Sequence, residues 1–79
     1  MFNPGDRAIV YRISVTFLGK YPGGSKEDKI EMIGDVKTIS FFNSKYTEEY
    51  GEPVYETEDG WNFFEKDLRT RKPIVVLKP

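Results

Sequence analysis

The stretch from residue 46 to residue 61 gathers the side chains best suited to chemistry. Tyr46, Tyr50, Tyr55 and Trp61 are interleaved there with Glu48, Glu49, Glu52, Glu56, Glu58 and Asp59, and no base falls between Glu48 and Gly60. Tyrosine and tryptophan anchor protein interfaces, and carboxylates steer a basic partner towards them. A second set is basic: Lys66, Arg69, Arg71, Lys72 and Lys78 stand against Asp67 alone near the end of the chain. Joined by Lys20 and Lys26 from an earlier loop, it would suit nucleic-acid phosphates, with an affinity that falls steeply with salt. The plain reading of both sets is a solvated surface, and that of Tyr55 and Trp61 is core.

Catalysis is narrowed by what is missing. The 79 residues include no cysteine and no histidine. That removes disulfides, thiol nucleophiles, Ser-His-Asp triads and the usual zinc and iron–sulfur ligands. A carboxylate-only site for glycoside hydrolysis or magnesium is the chemistry left, and no DxDxDG-type loop supports one. A domain this small buries only about 60% of its unfolded surface and has little room for a deep pocket. The expectation is a protein that is not an enzyme, with no cofactor and no metal. Net charge is −1, which weighs against a dedicated nucleic-acid binder. No apolar run is long enough to span a membrane and no secretory signal opens the chain, so the expected location is cytoplasmic.

The elements that must hold these residues read as strands. Phe2-Asn3-Pro4-Gly5-Asp6 is turn chemistry. From Arg7 to Phe17 the odd positions Ile9, Tyr11, Ile13, Val15 and Phe17 alternate with a more polar even set, which predicts one strand with its odd face inward. Gly19–Asp28, rich in glycine and charge, reads as a long loop with Tyr21 as a contact residue. Lys29–Asn43 reads as a second strand that changes parity, through a bulge near Gly34 or a turn at Gly34-Asp35. One helical turn is expected at residues 47–50, capped by Thr47 and stopped by Gly51, with Tyr46 and Tyr50 on one side. Asp59-Gly60 marks a hairpin between Val54–Glu58 and Trp61–Glu65, with a loop of two or three residues. A short turn at residues 65–69 buries Leu68, and Ile74–Leu77 forms a last edge strand.

Five β segments in one small domain spanning residues 1–79 suggest an all-β closed barrel, since closure removes exposed edges. NPGDRAIV resembles the first strand of SH3-like barrels of the KOW, Tudor and bacterial-SH3 type. IGDVKTI is similar to their second strand, and YETEDGWNFFEKDL to their closing hairpin and turn. The resemblance implies a five-stranded SH3-like barrel with a long first hairpin loop and one short helical turn before the last strand. Similar stand-alone domains occur among small phage and prophage proteins. The eukaryotic SH3 peptide groove is not reproduced: AIVYR stands in place of ALYDY, Asn62 follows Trp61, and the closing P-x-x-Y element is missing.

The function this favours is a protein–protein interaction module, a phage-type accessory or inhibitor protein, working through Tyr46, Glu48, Glu49, Tyr50, Glu52, Tyr55, Glu56, Glu58, Asp59 and Trp61. The acids would serve an inhibitor by imitating DNA phosphates. The alternatives are a KOW- or Tudor-like nucleic-acid binder using Arg69, Arg71, Lys72 and Lys78, and an assembly subunit that pairs strand edges with a neighbour.

Overall fold

The computed structural model describes residues 1–14 and 22–70. Over these the chain forms β1 (Arg7–Val10), α1 (Lys26–Glu31), β2 (Val36–Phe42), α2 (Ser44–Tyr50), β3 (Val54–Thr57), β4 (Asn62–Phe64), a one-turn 3-10 helix (Glu65–Asp67) and β5 (Leu68–Thr70). The five strands make an antiparallel sheet in the order β4-β3-β2-β1-β5. In a flat sheet β4 and β5 would stand about 19 Å apart, at about 4.8 Å per strand. The 3-10 turn that joins them reaches only about 6 Å. The sheet therefore curls around its core until its ends approach. Among the described residues no ladder joins β4 to β5, so the closed barrel expected from the sequence is not formed.

The turn at Asn3–Asp6 sets the register of β1. Asp6 N–H donates to Asn3 O and Ile39 N–H to Asp6 O. This places Ala8 opposite Lys37 and Ile9 opposite Val36. Ala8 and Val10 are then fully buried, while Tyr11 is 53% exposed. The inward face of β1 is thus the even one, opposite to the expectation, because a shift of one residue exchanges the two faces of a strand. The small even side chains sit among Phe2, Ile39, Tyr55, Phe63 and Leu68 in one core cluster. The strand also ends early, at Val10, where Tyr11 and Arg12 turn their N–H groups to Asp67 O. Ile13 still packs on the core; Val15 and Phe17 lie outside the described residues.

The largest departure is α1, which occupies the end of the expected loop and the start of the expected second strand. Ser25 caps it, its hydroxyl accepting from Asp28 N–H at 3.2 Å, and Glu27 and Asp28 fill the first turn. Carboxylates there are favoured by the helix dipole. A turn through Gly34 follows, and β2 begins only at Val36. Neither expected arrangement at Gly34 occurs; the register shift falls instead between Ile39 and Phe41, against β3.

Asn43 rather than Thr47 caps α2, accepting from Tyr46 N–H at 3.0 Å, and Gly51 ends it as expected. The β3–β4 hairpin pairs Tyr55 with Phe63 and Glu56 with Asn62, which is the three-residue alternative. Its Gly60 has φ +87°, the left-handed position that such a loop requires. The turn after β4 is two residues shorter than expected, and Leu68 is buried at the head of β5. The expected Ile74–Leu77 strand lies outside the described residues.

Candidate functional site

Short-range capping places the acidic, aromatic stretch. Asn43 Nδ2 donates to Asn62 Oδ1 at 3.0 Å, fastening the head of α2 to β4. Thr47 Oγ1 accepts from Val54 N–H at 2.9 Å, fastening its last turn to β3. Tyr46 and Tyr50, one turn apart, meet edge to face at 5.7 Å, and Tyr50 meets Phe64 at 5.9 Å. Burial pushes the Tyr50 hydroxyl above its usual pKa, helped by Glu49. Glu48 and Glu49 face water.

The other acids are largely tied down. Glu52 pairs with Lys66 at 2.9 Å, and the Lys66 ammonium lies 5.3 Å from the centre of the Phe64 ring. Glu56 accepts from Asn62 Nδ2 at 3.3 Å. Asp59 pairs with Lys37 at 2.6 Å and accepts from the Thr57 hydroxyl. Partial burial would raise its pKa, but the Lys37 and Thr57 hydrogen bonds hold it below the usual carboxylate value. Glu58 is exposed. Of the ten residues selected from the sequence, Tyr55 is core: it is 2% exposed, and its hydroxyl accepts from Phe2 N–H at 3.2 Å. Trp61 is half-buried against the core cluster.

The alternative basic set is represented by Arg69, exposed on β5. Lys20, Tyr21, Arg71, Lys72 and Lys78 lie outside the described residues, as does the side chain of Lys26. Among the described residues no group of three or more acids is placed to hold a metal ion, and no helix is long and apolar enough to cross a membrane.

The structure adds a feature absent from the sequence reading. Met1, Phe2, Phe42, Pro53, Tyr55 and Glu65 line an apolar groove of about 410 Å³. A second hollow of about 370 Å³ shares Met1, Phe2, Pro53 and Glu65 with it and runs on to Lys66 and Arg69. Phe42 stands 46% exposed at the groove wall, its ring 5.4 Å from that of Tyr55. The adjacent Phe41-Phe42 pair carried the signal for this surface. Neighbouring residues of a strand point to opposite faces, so both rings can face a core only if two cores exist. The chain matches no protein-family model, no curated protein and no solved structure.

Proposed function

We propose that this chain is a non-enzymatic protein-interaction module that receives a short apolar peptide segment with a basic flank. The observation that carries the reading is the groove of about 410 Å³ in which, among the described residues, Glu65 is the one charged side chain, 3.8 Å from the Met1 ammonium that a partner cation would displace. An apolar floor favours an aliphatic or aromatic anchor, and a partner cation would meet Glu65 at the wall. Glu48 and Glu49 of α2 steer such a partner from a distance. The order of the strands, the Asp-Gly hairpin and the one-turn helix between β4 and β5 support an SH3-like arrangement left open between its end strands.

Selection from a displayed random-peptide library tests the reading. Sequences with an apolar anchor next to Lys or Arg should be enriched. Phe42→Ala should weaken them by tenfold or more, as loss of a central interface ring does. Glu65→Lys should abolish the basic preference while leaving the apolar one. Failure to enrich any sequence, or enrichment indifferent to Phe42→Ala, would remove the groove from consideration.

A further inference from the structure

Charge is sorted along the sheet. The β3–β4 end and α2 carry Glu48, Glu49, Glu52, Glu56, Glu58 and Asp59 against Lys45 and Lys66, whereas the β1–β5 end carries Arg7, Arg12 and Arg69 against Asp6 and the buried Asp67 that pairs with Arg12. Because Ala8 and Val10 are buried, Arg7, Ile9 and Tyr11 share the outward face of the chain along β1. Arg69 stands opposite Ile9 on β5 and joins that face. There its guanidinium carbon lies 4.2 Å from the centre of the Tyr11 ring, with that of Arg12 at 5.9 Å.

This platform is held in place before any ligand arrives. Arg69 Nη1 donates to the carbonyls of Lys66 and Leu68, both at 3.2 Å, which fixes its plane over the ring. Arg12 Nε is tethered to Asp67 Oδ1 at 3.3 Å. The Tyr11 N–H donates to Asp67 O at 2.8 Å, anchoring the backbone beneath the ring. Tyr11 nonetheless remains 53% exposed.

We propose that this outward face binds single-stranded nucleic acid, one base stacking on the Tyr11–Arg69 pair and the flanking phosphates lying along Arg7 and Arg12. An acidic peptide would use the positive charges but has no use for a planar stack. A nucleobase uses both, since every base offers a π face and every nucleotide a phosphate. Duplex would gain only the charge, its base faces being hidden. From Arg7 to Tyr11 the chain spans about 13 Å, so the contact covers a few nucleotides. With about three phosphates engaged, the logarithm of affinity should fall with that of salt concentration with a slope of about −2.

Fluorescence anisotropy with labelled 15-residue oligo(dT) and oligo(U), and with labelled polyglutamate as a polyanion control, tests this at low and moderate salt. Either oligonucleotide should bind at low salt and polyglutamate at least tenfold more weakly. Tyr11→Ala and Arg69→Gln should each cost about fivefold to a hundredfold, the range for loss of one stacked base. Arg69→Lys, which keeps the charge and loses the plane, should fall between wild type and Arg69→Gln. Both side chains are exposed, and thermal melts of each variant check that the fold is kept. Absence of binding at low salt, equal binding of polyglutamate, or indifference to Tyr11→Ala would each overturn the proposal.

Discussion

Two buried charges fasten the two ends of the long connection between β1 and β2, and they do so by different means. Asp67, 2% exposed, sits at the end of the 3-10 turn. Its carboxylate accepts from Ser14 N–H at 2.9 Å, Ser14 Oγ at 2.5 Å and Arg12 Nε at 3.3 Å. Lys29, 1% exposed on α1, donates to the carbonyls of Pro22 and Asn62 and lies 5.0 Å from the centre of the Phe63 ring. The anion is met by a hydroxyl, a backbone donor and a cation. The contacts just named for the lysine are dipoles and a π face, and burial outweighs the attraction of Asp67, pushing its pKa down to about 8. At the Asp67 end the carboxylate is met by donors on residues 12 and 14. At the Lys29 end the hydrogen bonds stabilise and the charge costs.

The difference has structural sense. In the β3–β4 ladder Tyr55 pairs with Phe63, and Thr57 N–H donates to Trp61 O, so the backbone groups of Asn62 point away from β3. Lys29 thus caps a carbonyl on the outer edge of β4. An exposed strand edge invites pairing with another chain, and a covering helix or an edge cation prevents it. On β5, Arg69 does the corresponding thing to the Leu68 carbonyl from the exposed side.

The comparison is broken most severely at Asp67. Asp67→Ala leaves the Ser14 donors and the Arg12 guanidinium without their acceptor. Charge-assisted hydrogen bonds are worth about 1.5–3 kcal/mol each, and loss of a buried partner sits at the upper end. The expected cost is about 3 kcal/mol or more, a fall in Tm of at least about 12–24 °C for a domain of this size. A thermal melt that falls by less than about 4 °C would show that residues 12–14 do not depend on this grip.

Next comes the Pro22–Ser25 approach to α1. Gly24 has φ +65°, and a Cβ added there would overlap the Trp61 ring. Gly5 has φ +90° with open space around it. Gly24→Ala should therefore cost about 2–3 kcal/mol and Gly5→Ala about 1 kcal/mol, since both pay the left-handed backbone and only one meets a ring. Denaturant melts of the two variants give the difference directly. Equal costs would mean that the α1 approach is not seated against Trp61.

How much of this was written in the sequence depends on the range of the interactions. The Asp-Gly hairpin, the Asn3–Asp6 turn, the Gly51 stop and the Tyr46–Tyr50 pair rest on neighbours in the chain, and they were legible. The cap of α1 was equally local: Ser25 with Asp28 three residues on is a helix start. It was overshadowed by the glycines before it and the apolar residues after it. The inward face of β1 was not legible, because alternation reveals two faces and long-range register chooses between them. Of the groove, only the adjacent Phe41-Phe42 pair gave a sign, because its walls come from residues 1, 2, 42, 53, 55 and 65. Lys29 was invisible for a related reason: nothing near it in sequence marks a lysine whose partners lie 7 and 33 residues away.

The pH dependence separates the two grips. Folded Lys29 has a pKa of about 8, below the ordinary value of about 10.4 that the unfolded chain keeps. Between these values the unfolded state holds a proton that the folded state has lost, so stability rises with pH. A neutral amine keeps two N–H groups, enough for both carbonyls, so the fastening persists. Above pH 10 the sign reverses: burial raises the pKa of Tyr50 and Tyr55, so the unfolded tyrosines ionise first. Stability measured by urea melts should climb by about 1–3 kcal/mol from pH 8 to pH 10 and then fall. Lys29→Met, an apolar side chain of similar length, should abolish the climb and keep the fall, while changing stability at pH 7 by no more than about 1.5 kcal/mol. A climb that survives in Lys29→Met would assign it to another group.

The smallest effect belongs to the hairpin tip, where a charge pair resembles the Asp67 grip in chemistry but not in burial. Asp59 is 47% exposed where it meets Lys37 at 2.6 Å, and water screens most of the attraction. Asp59→Asn keeps one side-chain oxygen for the Thr57 hydroxyl and loses the charge together with the acceptor that meets Lys37. The expected cost at pH 7 is about 0.5 kcal/mol, and it should shrink further in high salt. Its folded pKa is depressed, so what it contributes is present above the usual carboxylate range and is lost as pH falls through the folded value. Wild type and Asp59→Asn should accordingly converge in acid. A cost near that of Asp67→Ala would show that proximity of charges, and not their removal from water, sets the strength of these pairs.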